Sequence, residues 1–191
     1  MARPKDDSKI EVIFEATLKI VLKTGFNGLK MADVAKAAGL ATGTLYIYFK
    51  NKEVLINELF LSLKTAKTHR LLSVYNAKDS FEVNFRNLWF NYLELSLTEP
   101  ERMLFIEQFA HTSFLTKKTK ALGDELLKPL EEFLQQGIKQ KKVRKLPIQL
   151  LLSQLMGPIY EIVKLHMDKK IVMNKSMKEG LYEIALRGIS I

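Results

Sequence analysis

The chain has no cysteine. Disulfides and thiolate metal sites are therefore excluded, and a reducing, cytoplasmic setting is expected. Histidine is scarce. His69, His111 and His166 stand far apart, and none has a histidine or carboxylate four residues on. A zinc site needs three or four converging ligands, so neither a metal nor another cofactor is expected. No glycine-rich phosphate loop and no G-x-S-x-G elbow is found. Glu131 and Glu132 are adjacent, so on a helix they point to different sides and make a poor acid–base pair. No apolar run is long enough to span a bilayer, so no membrane-spanning helix is expected. The opening MARPKDDSK is charged but leads into no apolar stretch, so a secretory signal is not expected. Runs of alternating β-branched residues and internal repeats are also missing. Helices remain.

What is present is an ordinary globular composition. Hydrophobic residues make up 47% of 191 residues, enough for one or two domains with a real core. The net charge is +9, yet it is not concentrated. Residues 1–50 carry eight Lys/Arg against five Asp/Glu, and residues 51–191 carry twenty-two against sixteen. Such a balance supplies attraction and steering toward an anionic partner without identifying it. The densest basic run, Lys139 to Lys145, reads as a solvated helix end where cations meet the negative pole of the dipole; a DNA contact is the other reading.

Helix signals divide the chain. Ser8-x-x-Glu11 is a capping-box pattern opening a helix from about Lys9 to Thr24, stopped by Gly25. Asn51 caps a helix reaching about Tyr75, with Glu53 in its first turn. Asp79 or Ser80 opens another to about Leu97, with Asp79-x-x-Glu82 as a capping-box pattern, and Pro100 suits the first turn of the next, to about Ser113. Pro129 should kink or divide a helix between Thr119 and Lys142. Pro147 opens a helix to about Met167, disturbed at Pro158, and Ser176-x-x-Glu179 caps a last one ending at Ile189. The expected fold is all-α, with about nine helices: a three-helix head over 1–50 and a helical-bundle body over 51–191.

The most specific stretch is Met31 to Lys52, MADVAKAAGLATGTLYIYFKNK. Val34, Ala35 and Ala38 have helical spacing, and Gly39 ends that helix. Leu40 and Ala41 re-enter the core, and Thr42 is positioned to cap a second short helix that turns Leu45 and Phe49 inward. Two helices joined by a glycine turn, the second polar on its outer face, form a helix-turn-helix, whose second helix fits the major groove of DNA. The segment resembles the TetR family of bacterial transcriptional regulators. The resemblance rests on Val34-Ala35, Ala38-Gly39, the run Gly43-Thr44-Leu45-Tyr46-Ile47-Tyr48-Phe49, then Lys52-Glu53 and Leu55. Upstream, Ile13, Ala16, Ile20, Gly25 and Phe26 fit the family's first helix, and a looser likeness surrounds Gly137 to Lys164. One departure is Lys30, where many members place a threonine cap.

The resemblance implies a DNA-binding regulator, a repressor in the first instance, that works as a homodimer on a two-fold operator and releases it when a small apolar or amphipathic effector binds. Thr42, Gly43, Thr44, Tyr46, Tyr48 and Lys52 are the expected DNA contacts, with Lys30 near the turn and Arg3 and Lys5 as an N-terminal arm. The second helix has no Arg, Asn or Gln, the strongest base readers, so specificity should rest partly on shape.

Two patterns in the body invite more than one reading. Phe81, Phe85 and Trp89 recur every four residues, as do Phe105 and Phe109. They are either packed core or the wall of an effector pocket containing Phe85, Trp89, Tyr92, Phe105, Gln108, Phe109, His111, Met156 and Tyr160. Leu151, Leu155, Ile159 and Ile162 form one stripe near the C-terminus; Met177, Leu181 and Ile184, with Gly180 and Gly188, form another. They either pack within the chain or, as the expected reading, form a four-helix dimer interface. The alternatives are a regulator whose solid body answers a protein partner or no ligand, and an enzyme whose site the sequence does not display.

Overall fold

Ten α-helices and an isolated antiparallel bridge between Val143 and Ser190 make up the regular structure of residues 6–191, which a computed structural model describes. Arg3 and Lys5 lie outside the described residues. The helices are α1 (Asp7–Gly28), α2 (Met31–Ala37), α3 (Thr42–Tyr48), α4 (Lys52–Leu72), α5 (Phe81–Thr98), α6 (Pro100–Ala110), α7 (Lys117–Glu125), α8 (Lys128–Lys139), α9 (Ile148–Met167) and α10 (Lys175–Ile189). The tenth arises at Pro129, which stands in the first turn of α8 and separates it from α7. A proline there costs nothing, since its missing amide hydrogen has no intrahelical partner to lose. Pro158, by contrast, lies inside α9 without ending it.

Helix existence follows the sequence closely; the choice of cap does not. Asn51 caps α4 as expected, accepting from the Val54 amide at 2.9 Å. Asp6, not Ser8, caps α1: its carboxylate accepts from the Ser8 amide at 3.1 Å and the Ser8 hydroxyl at 2.6 Å. An ionised acceptor is favoured over a hydroxyl at the positive pole of a helix. Those bonds hold the Asp6 carboxyl below its usual range. Of the two candidates for α5, Ser80 is the cap and the Asp79 box does not form, while Asn174, not Ser176, caps α10. Thr42 is the first residue of α3 instead of its cap, which is Ala41 and makes no side-chain bond. Lys30 likewise precedes α2 without a capping bond. Neighbouring polar side chains are interchangeable by rule, and packing chooses among them.

By packing, the chain forms two compact units, a division distinct from the functional one expected at residue 50. The first comprises the described residues up to Leu63 together with Leu104–Leu122; the second comprises Lys64–Met103 and Gly123–Ile191. Both α4 and α6 contribute residues to each unit.

In the first unit, α1, α2 and α3 pack around Ile13, Leu18, Val34, Leu45, Phe49, Leu55 and Phe60. Phe105 and Phe109 of α6 belong to the same cluster, stacked on one another at 4.5 Å between centroids. Phe26 stacks on Phe114 at 3.9 Å. Asn57, buried on α4, secures this arrangement: its amide donates to the Glu53 and Phe114 carbonyls and its oxygen accepts from the Thr116 amide.

In the second unit, α5 packs against α9 and α10, and α8 against α9. Phe81 stacks on Phe133 at 4.7 Å. Gly137 lies so close to this stack that an added Cβ would come within 2.5 Å of the Phe81 ring. Ion pairs tie α5 to α10 at the surface: Arg86 with Glu179 and Lys178 with Glu94. The Arg86 guanidinium also lies over the rings of Phe90 and Tyr182. Glu82 pairs with Lys142, whose hydrogen bond holds the Glu82 carboxyl below its usual range.

Candidate functional site

Two regions bring the chemically informative residues together, one in each unit. In the first, Gly39 takes φ +67°, a left-handed conformation open to glycine at little cost, and so turns the chain sharply between α2 and α3. Leu45 and Phe49 are completely buried and fix the rotation of α3 about its axis. That rotation decides which residues reach solvent. Thr42, Gly43, Tyr46 and Ile47 are exposed, whereas Thr44 and Tyr48 are half-buried to the side. The Asp6 amide donates to the Tyr48 hydroxyl at 3.4 Å, linking the start of α1 to α3. At Gly43 an added Cβ would meet nothing within 4 Å. The missing side chain is thus not demanded by packing, and it leaves backbone open to a partner.

Lys52 was expected to reach phosphate. Its ammonium donates to the Phe26 carbonyl at 3.4 Å and stands 4.5 Å from the Phe26 ring centroid. Lys30 is exposed beside α2. Ile47, absent from the expected contacts, is the most exposed large hydrophobic side chain of α3 at 75%. The signal for it was available: it is two residues from both Leu45 and Phe49, and so roughly opposite them on a helix.

The second region is a cavity of about 60 Å³. Phe85, Leu88, Trp89 and Tyr92 of α5 form one wall; Leu71 of α4, three residues of α8 and Leu152, Leu155 and Met156 of α9 complete it. Four of the nine expected pocket residues thus meet: Phe85, Trp89, Tyr92 and Met156. Phe105 and Phe109 do not join them, because their rings are packed in the core of the first unit. Gln108 and His111 are exposed residues of that same unit, and Tyr160 of α9 does not line the cavity. The α8 wall of Leu130, Phe133 and Leu134 was missed; only an amphipathic repeat marked it. The indole Nε1 of Trp89 is buried and has no hydrogen-bond partner among the described residues.

The C-terminal stripes are split by burial. Leu151 and Ile159 are 1% exposed and pack within the chain, which leaves neither available to a second copy. Leu155, Ile162 and Leu181 are half-buried. Met177, Gly180, Ile184 and Gly188 stand exposed on one face of α10, with Leu150 and Leu165 exposed on α9. Among the described residues, no helix is long and apolar enough to cross a membrane, and no group of three His, Cys, Asp or Glu residues could hold a metal ion.

Residues 13–59 match the family model of bacterial regulatory proteins of the tetR family, and residues 60–191 match that of the tetracyclin repressor-like C-terminal domain. An uncharacterised HTH-type transcriptional regulator of Haemophilus influenzae is 32% identical over 107 residues. That match covers 52% of this chain and 53% of the relative, so it spans about half the length of either. A TetR family transcription regulator from Marinobacter aquaeolei VT8 superposes with a TM-score of 0.90 at 26% identity, covering 97% of both chains. The transcriptional regulator FadR from Bacillus subtilis, solved in complex with stearoyl-CoA, superposes with a TM-score of 0.73 at 22% identity, covering 94% of this chain and 98% of that one.

Proposed function

The chain belongs to the tetR family of bacterial regulatory proteins, a family of transcriptional regulators, and on that premise we propose that it is a cytoplasmic, dimeric repressor released from its operator by a small, mainly apolar effector. The observation that carries the effector reading is the cavity beside Trp89, walled by apolar side chains from four helices. At about 60 Å³ it is well below the roughly 300–1,000 Å³ of small-molecule sites. An effector must therefore widen it. The second unit would then differ between its empty and filled states, and that difference is what a ligand needs to shift a conformational population. Leu71, in the cavity wall, lies on α4, the helix that follows the helix-turn-helix directly in the chain. The stearoyl-CoA held by FadR is a property of that protein; it supports an apolar chain as the first class to screen here.

The DNA reading places α3 of each copy in successive major grooves on one duplex face, about 34–36 Å apart. Thr42, Gly43, Tyr46 and the backbone of α3 approach the bases, and Thr44, Tyr48, Lys30 and Lys52 bear on the phosphates. The apolar face of α10 around Met177 and Ile184 supplies the dimer contact, where Gly180 and Gly188 admit close approach.

The experiment begins with selection of bound duplexes from a random pool, followed by a screen of fatty acids and acyl thioesters for release. A releasing compound should change Trp89 fluorescence, and DNA should weaken that compound by the same factor. Leu155→Phe, which fills the cavity, should abolish release while leaving operator affinity in place. Release that survives this substitution would place the effector elsewhere. No releasing compound at all would favour the rival in which the body answers a protein partner or nothing.

A further inference from the structure

We propose that Ile47 is a base-reading residue and that it selects thymine in the major groove through the C5-methyl group, assisted by the ring of Tyr46. The proposal rests on the DNA reading above and deepens it. Among the large hydrophobic side chains of the described residues, only Val172 and Ile191 are more exposed than Ile47. Single exposed apolar residues are common and need no explanation by themselves. This one, however, stands at the centre of the outward face of α3, held there by the complete burial of Leu45 and Phe49 two residues to either side. Tyr46, half exposed, lies next to it.

The chemistry of the helix narrows what this face can read. From Thr42 to Tyr48 it has no Arg, Lys, Asn, Gln, Asp or Glu, so the bidentate pairings that identify guanine and adenine are not available to it. Short hydroxyls and apolar groups remain. The thymine methyl is the apolar group that a base edge displays in the major groove, and it is the natural counterpart of an isoleucine presented to that groove. Isoleucine also suits the task mechanically. Its branched Cβ restricts χ1 in a helix, so its methyl groups keep one position and lose little freedom on contact. Gly43, one turn earlier and without a side chain, lets the helix come close enough for a side chain of this length to reach.

The test replaces thymine by deoxyuridine, which removes the methyl group and preserves base pairing. Duplexes are selected by the wild-type protein from a random thymine-containing pool. The recovered duplex is then remade with each thymine in turn changed to deoxyuridine. At one or two positions per half-site, wild-type affinity should fall about three- to fivefold, the worth of one buried methyl-sized group. Ile47→Ala should bind the parent duplex more weakly and be indifferent to deoxyuridine at those same positions, whereas Ile47→Val should keep part of the sensitivity. Because the side chain is exposed, thermal melting of all three proteins should coincide. The proposal is overturned if the wild type is indifferent to deoxyuridine at every thymine, or if Ile47→Ala retains the full penalty, which would assign the contact to the methyls of Thr42 or Thr44. Failure of the DNA reading has a separate signature: the wild-type protein would recover no preferred sequence from the pool, and the proposal would fall with it.

Discussion

The two units use aromatic side chains differently. In the first, Phe49, Phe60 and Phe105 are buried almost completely within one continuous apolar cluster. In the second, Phe85, Trp89, Tyr92 and Phe133 are nearly as buried, yet they border a cavity. Burial alone therefore does not distinguish packing from a binding wall. A packed ring has contact atoms on every side, whereas a ring beside a void loses dispersion contacts on one side and costs the fold stability. A unit that presents a fixed face to DNA gains from the first arrangement. On the proposed reading, the second unit accepts a ligand and gains from the second arrangement.

The sharpest way to test this contrast is truncation. Phe49→Ala should destabilise the protein by about 3–5 kcal/mol, the usual cost of deleting a fully buried phenylalanine, read from denaturant unfolding. A loss below about 1 kcal/mol would mean that the first core is not packed as tightly as its burial implies. Phe85→Ala should cost less than Phe49→Ala, because part of its surroundings is already empty.

Overpacking gives the next largest effect. Gly137→Ala drives a Cβ into the Phe81 ring and the Val143 side chain and should cost about 1–3 kcal/mol. Gly43→Ala makes the opposite case in the first unit. No atom blocks the new methyl group, and helix propensity should make the protein up to about 1 kcal/mol more stable. On the proposed DNA reading its affinity should nevertheless fall, because the methyl group would intrude between backbone and groove. Unchanged binding by Gly43→Ala would remove this position from the interface.

The smallest effect concerns acid. Glu82 in the second unit is held below the ordinary carboxylate value of 4.5 by its hydrogen bond to Lys142. A lowered folded value gives stability that is full above the unfolded value and is lost as pH falls through the folded one. Lys142→Met should therefore shrink the loss of melting temperature between about pH 6 and pH 3. Both groups are solvent-accessible, so the change should be small and should fade further in salt.

Much of the molecule was legible in its sequence. Helical periodicity marked the helices, Gly39 marked the turn, and the i, i+4 spacing of Leu45 and Phe49 marked the inner side of α3. These are local facts, settled by residues a few positions apart. Capping was legible as a zone but not as an atom, because Asp6 and Ser8, or Asp79 and Ser80, satisfy the same rule. The pocket was legible only in part. Phe105 and Phe109 share the spacing of Phe85 and Trp89 and differ in nothing that a sequence displays, yet the first pair fills one core and the second lines a cavity in the other. The same holds for Leu151 and Ile159, whose stripe suited a second copy as well as the chain itself. By itself, then, the sequence determined the helices, the turn and the kind of partner the head is built to meet. Only the tertiary structure decided which apolar side chains share a core, which border a void and which, like Ile47, are left outward. Those outcomes depend on contacts between residues far apart in the chain, and apolar attraction, having no direction, does not specify them in advance.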